Sequence, residues 1–153
     1  MNASPAKRLA TLGLAAAALM APAFGSAADL VVRIEGLRSA DGDIRVAVHR
    51  RAAGVDFPDS AGAVKAAMRP AGETGDLVFA GLPPGDYAIA AFHDKDRDGD
   101  LNTNLLGMPT EGYGFSNDAR GMFGPPGFDA AAFTITAGKD RAAVTVKLGY
   151  PGS

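Results

Sequence analysis

From Asp29 onward, apolar and polar residues alternate with a period of two in a series of short runs. In "DLVVRIEGL", Leu30, Val32 and Ile34 share one face while Arg33 and Glu35 take the other. "GDIRVAVHR" repeats the pattern, with Ile44, Val46 and Val48 inward and Arg45 and His49 outward. "GDLVFAGL", "GDYAIAAFHD", "AAFTITAG" and "RAAVTVKLGY" behave alike, and Val144, Val146 and Leu148 mark one face of the last. Turn signals separate the runs: "SADGD", "ETGD", "LPPGD" and "AGKD". Short strands at this spacing, with no sustained helical period after the N-terminal run, predict a single all-β domain. The expected architecture is an antiparallel β-sandwich of about seven strands with one long ordered loop.

Two segments break the rhythm. Arg51 to Glu73 is alanine-rich, and its pattern fits a short helix around Ser60 to Ala67 or a loop followed by an irregular edge strand. Asp94 to Asp129 carries no clear strand, and an unstructured stretch of that length in a compact domain is functional or ordered by something besides its own backbone.

The N-terminus has a different character. Lys7 and Arg8 precede the apolar run Leu9 to Phe24, and the small-residue stretch "GSAAD" follows. Charge, apolar core and small residues in that order form the pattern of a secretory signal peptide, cut near Ala27 or Ala28. A spanning helix needs roughly 20 apolar residues, and this run is shorter and carries Pro22. The expected organisation is a signal peptide over 1–27 and a sandwich domain over 28–150, exported to the periplasm or beyond, with no transmembrane segment in the mature chain. The chain has no cysteine, which excludes a lipid anchor at the cleavage point and excludes disulfides. An exported domain of about 125 residues is long enough for one core without covalent staples. Loss of Lys7 and Arg8 takes the basic count from 15 to 13 against 17 acidic side chains, so the net charge moves from −2 to −4. A mildly acidic chain with scattered basic residues argues against a nucleic-acid partner.

The chemistry concentrates in "HDKDRDGDLNTN", His93 to Asn104. Laid on a twelve-position calcium loop, Asp94, Asp96 and Asp98 fall at the first, third and fifth positions and Gly99 at the sixth, where the chain must turn sharply. Asp100 sits at the seventh, a backbone-carbonyl position, Leu101 is apolar at the eighth, and Asn102 occupies the ninth. The twelfth position, which demands a bidentate glutamate, is Leu105. That departure, and a loop leaving a strand, argue against a helix-loop-helix sensor. They leave a calcium site over Asp94, Asp96, Asp98, Asp100, Asn102 and Asn104 as the expectation, with the missing donor supplied by Asn104, Glu111 or Asp118. Magnesium fits less well because it demands near-octahedral geometry and keeps its waters. His93 reads as a hydrogen-bonding residue at a strand end. Open acidic turns without a cation are the competing reading of the cluster.

Past the cluster, Tyr113, Phe115, Phe123 and Phe128 are interleaved with glycines. Exposed, Tyr113, Phe115 and Phe123 would form a stacking surface for a glycan or an envelope protein. Tucked under the loop, the aromatics would form a satellite core, the arrangement expected because four exposed rings make a sizeable apolar patch. A hydrolase built on Ser116, His93 and an aspartate lacks a nucleophile-elbow sequence, since "GFSND" has the wrong glycine spacing.

Two resemblances accompany these motifs. "GLPPGDYAIAAFHD" resembles the Leu-Pro-x-Gly-x-Tyr pattern of transthyretin-like and collagen-binding-B-like sandwich domains, in the wider immunoglobulin-like group. The segments "GMPTEGYGFSN" and "FGPPGFDAAAF", with the aspartates before them, resemble an uncharacterised bacterial family, domain of unknown function twenty-one forty-one. That family often carries asparagine where this chain has Asp96 and Asp98, which keeps oxygen donors in place. The resemblance implies an exported β-sandwich and supplies no catalytic residues. The functional expectation is a calcium-stabilised binding or envelope-associated module without catalytic activity. The alternative is an extracytoplasmic hydrolase or carbohydrate-binding module using the 94–129 loop.

Overall fold

A computed structural model describes residues 25–54 and 56–152. Of the signal peptide expected over 1–27, residues 1–24 lie outside the described residues. The six alternating runs become β1 (Ala28–Glu35), β2 (Asp43–Arg50), β4 (Leu77–Leu82), β5 (Gly85–Asp94), β7 (Phe133–Ile135) and β8 (Arg141–Lys147). β3 (Ala63–Pro70) arises from the alanine-rich segment, and β6 (Tyr113–Phe115) forms inside Asp94 to Asp129, where the alternation predicts no strand, by pairing with β5. One sheet has the order β4-β1-β8, and the other runs β3-β2-β5 with β6 and β7 both on the free edge of β5. The sandwich has one pairing outside the antiparallel scheme, because β1 and β8 run parallel from Asp29↔Arg141 to Glu35↔Lys147. Joining the first and last strands of the domain places the C-terminal residues beside the loops that follow β1 and β5.

The inward faces are those that the alternation selects. Leu30, Val32, Ile44, Val46, Val48, Tyr87, Ile89 and Val146 are buried together between the sheets, each such side chain contributing about 1.5–3 kcal/mol by leaving water. The Leu-Pro-x-Gly-x-Tyr turn has a direct physical role. Tyr87 is fully buried, and its hydroxyl donates to the Pro83 carbonyl at 2.6 Å, locking the β4–β5 turn onto the strand that follows it.

The alanine-rich segment takes the second of its two expected forms. A single 3-10 turn, Ser60–Gly62, is capped by Asp59, whose carboxylate accepts from Ala61 N, and β3 follows as the exposed edge of the larger sheet. No helix forms over Ser60 to Ala67, because pairing with β2 from Asp43↔Pro70 to His49↔Ala63 satisfies this backbone instead.

The outer face of the larger sheet carries a second, smaller core. Ala88, Phe115, Ala119 and Ala131 are buried there, with Phe57, Ala90, Tyr113 and Phe128 packed against them. Small side chains at Ala88 and Ala90 leave room for rings: Phe57 meets Phe115 at 5.7 Å and Phe128 at 5.9 Å, edge to face. His49 points to this outer face as its parity requires, yet it is buried rather than solvated. The β2–β3 loop covers it, with Phe57 edge-on at 5.0 Å and the Asp59 carbonyl 2.8 Å from Nε2.

Candidate metal centre

β5 ends at Asp94, whose side chain is fully buried. Its carboxylate accepts from Asp98 N and Gly99 N, each at 3.1 Å, so the chain curls around the first aspartate of the cluster. Gly99 makes that curl with φ of +94°, a conformation that residues with a Cβ rarely adopt. Gly42, at φ +74°, lets the β1–β2 loop lie against the same strand end, where a Cβ would collide with the Asp94 carbonyl oxygen. Arg45 Nε donates to the Asp94 carboxylate at 2.5 Å from the neighbouring strand. Burial pushes the Asp94 carboxyl upward, but the Arg45 guanidinium and the Gly99 N–H more than offset it and hold the group below the usual carboxylate range.

Glu111 completes the arrangement. It is buried and accepts Lys95 N at 2.7 Å through one oxygen and Asn102 N at 3.1 Å through the other. It thereby closes the base of a small hairpin, in which Thr103 pairs with Pro109 and Thr110 N donates to the Asn102 carbonyl at 2.8 Å. Asp94, Asp96 and Glu111 bring carboxylate oxygens within 4.8 Å of one another.

The structure thus divides the acidic motif. Asp94 and Asp96 converge, and Glu111, one of three candidates for the missing donor, joins them. Asn102 lies alongside, its side-chain amide donating to Asp96 at 2.8 Å. Asp98 is exposed and accepts from Asp100 N at 2.9 Å, while the Asp100 side chain faces solvent. Asn104 is used elsewhere: its side-chain oxygen accepts Leu106 N and Met108 N and builds the hairpin tip. Leu105, at the nominal twelfth position, is fully exposed at that tip. Asp118 lies beyond β6 in the 3-10 turn Ser116–Asp118 and is not among the converging carboxylates. Arg45 and Glu111 come from outside the acidic run, and no local period marks either of them.

The donor set suits a hard divalent cation. Oxygens bound to calcium at about 2.3–2.6 Å lie at most about 5 Å apart, which matches three carboxylates within 4.8 Å. Two buried carboxylates that close repel by about 3 kcal/mol at an effective dielectric near 20, and Arg45 neutralises only one of them. A cation placed among Asp94, Asp96 and Glu111 would relieve that repulsion.

His93 and Ser116 take no part in a common site. The His93 ring lies between the Tyr150 hydroxyl, 2.8 Å from Nδ1, and the Asp41 carbonyl, 2.6 Å from Nε2. A carbonyl only accepts, so Nε2 donates to the Asp41 carbonyl. Ser116 is fully buried, donating to the Ala131 carbonyl at 2.5 Å and accepting Ile89 N at 2.9 Å. The aromatics also separate. Phe115 is buried in the outer core, Tyr113 is half-buried beside it, and Phe123 is fully exposed. Phe115 therefore offers no face for stacking a ligand.

The sequence profile of one family covers this whole arrangement, from the second half of β1 into β8, matching residues 32–143. The chain belongs to the DUF2141 family. Its members are described as uncharacterised proteins conserved in bacteria, so the DUF2141 match establishes kinship across the acidic loop and the glycine-aromatic segment without assigning a reaction. No curated protein and no solved structure matches the chain.

Proposed function

We propose that this DUF2141 protein is an exported, calcium-stabilised binding module of the cell envelope that carries no catalytic activity. The observation that supports the reading is the convergence of Asp94, Asp96 and Glu111 at the base of a hairpin whose tip is apolar. Leu105, Leu106 and Met108 project from that tip with relative exposures of 106%, 84% and 56%. Asn104 and the backbone bonds of the turn hold them in place. A convex apolar tip on a braced hairpin suits insertion into a concave apolar site on an envelope protein, and exposed patches of this kind mark interaction sites. The cation would set the hairpin's angle by tying Glu111 to the end of β5.

Export rests on the N-terminal charge, apolar and small-residue pattern. Cleavage after Ala27 would leave β1 whole, since Ala28 is its first residue and is fully buried. Among the described residues no helix is long and apolar enough to cross a membrane. The absence of catalysis is supported by the separate engagement of His93 and Ser116.

Calcium titration followed by thermal melting and limited proteolysis tests the reading. Calcium should raise the melting temperature and slow cleavage between Lys95 and Glu111, and EGTA should reverse both. If neither changes, the cation has no part in this fold.

A further inference from the structure

At the same end of the sandwich, but on the side of the smaller sheet's loops, lies a second concavity. It is a cleft of about 580 Å³ between the β1–β2 loop and the β3–β4 loop, within the range of small-molecule sites. Its floor is apolar: Ile34, Leu37 and Ala71 pack against the main core. Arg33, Arg38 and Arg69 line it together with Glu73 and Asp76.

These charges are unequally satisfied. Arg33 and Asp76 hold each other through two hydrogen bonds, at 3.1 and 3.2 Å. Neither Arg38 nor Arg69 has a carboxylate within ion-pair distance among the described residues. Arg69 donates through Nη1 to the Gly75 carbonyl, and its Nε is shut off from solvent and so from the cleft. Its charge adds to the Arg33 hydrogen bond in holding the Asp76 carboxyl below its usual range, and Nη2 is left as the donor it can offer an anion. The Arg38 guanidinium lies over the Tyr150 ring, 4.8 Å from the centroid. Stacking occupies the flat face of a guanidinium and leaves its N–H edge free, the edge that matches an oxyanion with two parallel bonds. The Tyr150 ring is itself held by the hydrogen bond of its hydroxyl to His93, so Arg38 rests on a fixed platform.

We propose that this cleft binds a small organic anion, an apolar body ending in a carboxylate or phosphate, with the oxyanion on Arg38 and Arg69 and the apolar body on Ile34, Leu37 and Ala71. The site does not rest on the cation-site reading: none of the cleft's residues is among the converging carboxylates, and its ligand is an anion.

The test is a titration of the ¹⁵N-labelled protein with hexanoate, hexyl phosphate, inorganic phosphate and hexanol, followed by amide shifts. Hexanoate or hexyl phosphate should shift the Leu37, Ala40, Ala71 and Gly72 amides saturably, the tighter of the two identifying the oxyanion. Loss of a charge-assisted bidentate pair should weaken binding on the order of tenfold in Arg38→Ala. Arg69→Gln should weaken it in the same direction. Arg38→Lys, which keeps the charge and loses the fork, should fall between Arg38→Ala and the parent while preserving the rest of the spectrum. The proposal is overturned if no saturable shift occurs at these amides or if both arginine variants bind as the parent does. It is equally overturned if hexanol or inorganic phosphate binds as tightly as the tighter of hexanoate and hexyl phosphate.

Discussion

The space between the sheets and the segment from Asp94 to Ala132 are held together by different physics. Between the sheets, burial is almost wholly apolar, and strands contributed by the full length of the domain share it. From Asp94 to Ala132 the apolar contribution is a small cluster on the outer face, and buried polar groups make the decisive connections: Asp94, Glu111 and Ser116. Each of these three accepts backbone N–H groups that regular sheet pairing leaves over. Apolar area is forgiving, because many contacts share the load. A buried carboxylate or hydroxyl is not, because removing it strands the donors it served.

The contrast can be broken or sharpened by experiment. The largest effect belongs to the inter-sheet core: Leu30→Ala should cost about 3–4 kcal/mol and lower the urea midpoint of the whole domain as one transition. A loss confined to one part of the chain would show that this core does not carry the whole domain. Next comes the cation. Calcium at a hundred times its dissociation constant should add about 2.7 kcal/mol, with new hydrogen-exchange protection concentrated between Lys95 and Glu111. Glu111→Gln should retain the fold and lose most of that response; protection gained equally by β2 and the hairpin would dissolve the distinction.

Ser116→Ala should cost about 2 kcal/mol by leaving Ile89 N and the Ala131 carbonyl without their partner. Exchange should rise from Tyr113 to Ala132 and stay unchanged at Leu30 and Val46. The smallest effect concerns the link between β7 and β5. The hydrogen bond from Thr134 holds the Asp86 carboxyl below its usual range; burial opposes the shift and Arg51 adds to it. A depressed folded-state pKa gives stability that is present above the unfolded value, near 4, and is lost as pH falls through the folded value. Thr134→Val should move the Asp86 titration upward in carboxylate NMR and bring that loss nearer to pH 4. An unmoved titration would show that Thr134 is not its cause.

Much of the sandwich is legible in the chain because a strand facing a core on one side repeats its chemistry every second residue. Leu30, Val32, Val46, Val48 and Val146 all sit where parity places them. The parity of His49 is equally legible and its burial is not, since Phe57 and Asp59, which cover it, belong to an irregular loop. The alanine-rich segment left two forms open, and the pairing partner of β3 chose between them. In the acidic motif, the curl around Asp94 follows from the spacing of Asp98 and Gly99. The loss of Asn104 to the hairpin tip and the arrival of Glu111 depend on how the chain turns back at Leu105 to Met108.

By itself, then, the sequence determined the strands, their inward faces and the first half of an oxygen-rich loop, because each depends on neighbours one to six positions away. Only the tertiary structure decided that Glu111 closes that loop, that Arg45 compensates Asp94, that Phe57 of the β2–β3 loop joins Phe115 in the outer core, and that Arg38 and Arg69 line one cleft. Those four facts join residues from different strands and loops, and no local period records which distant partner a side chain will meet once two sheets have closed on each other.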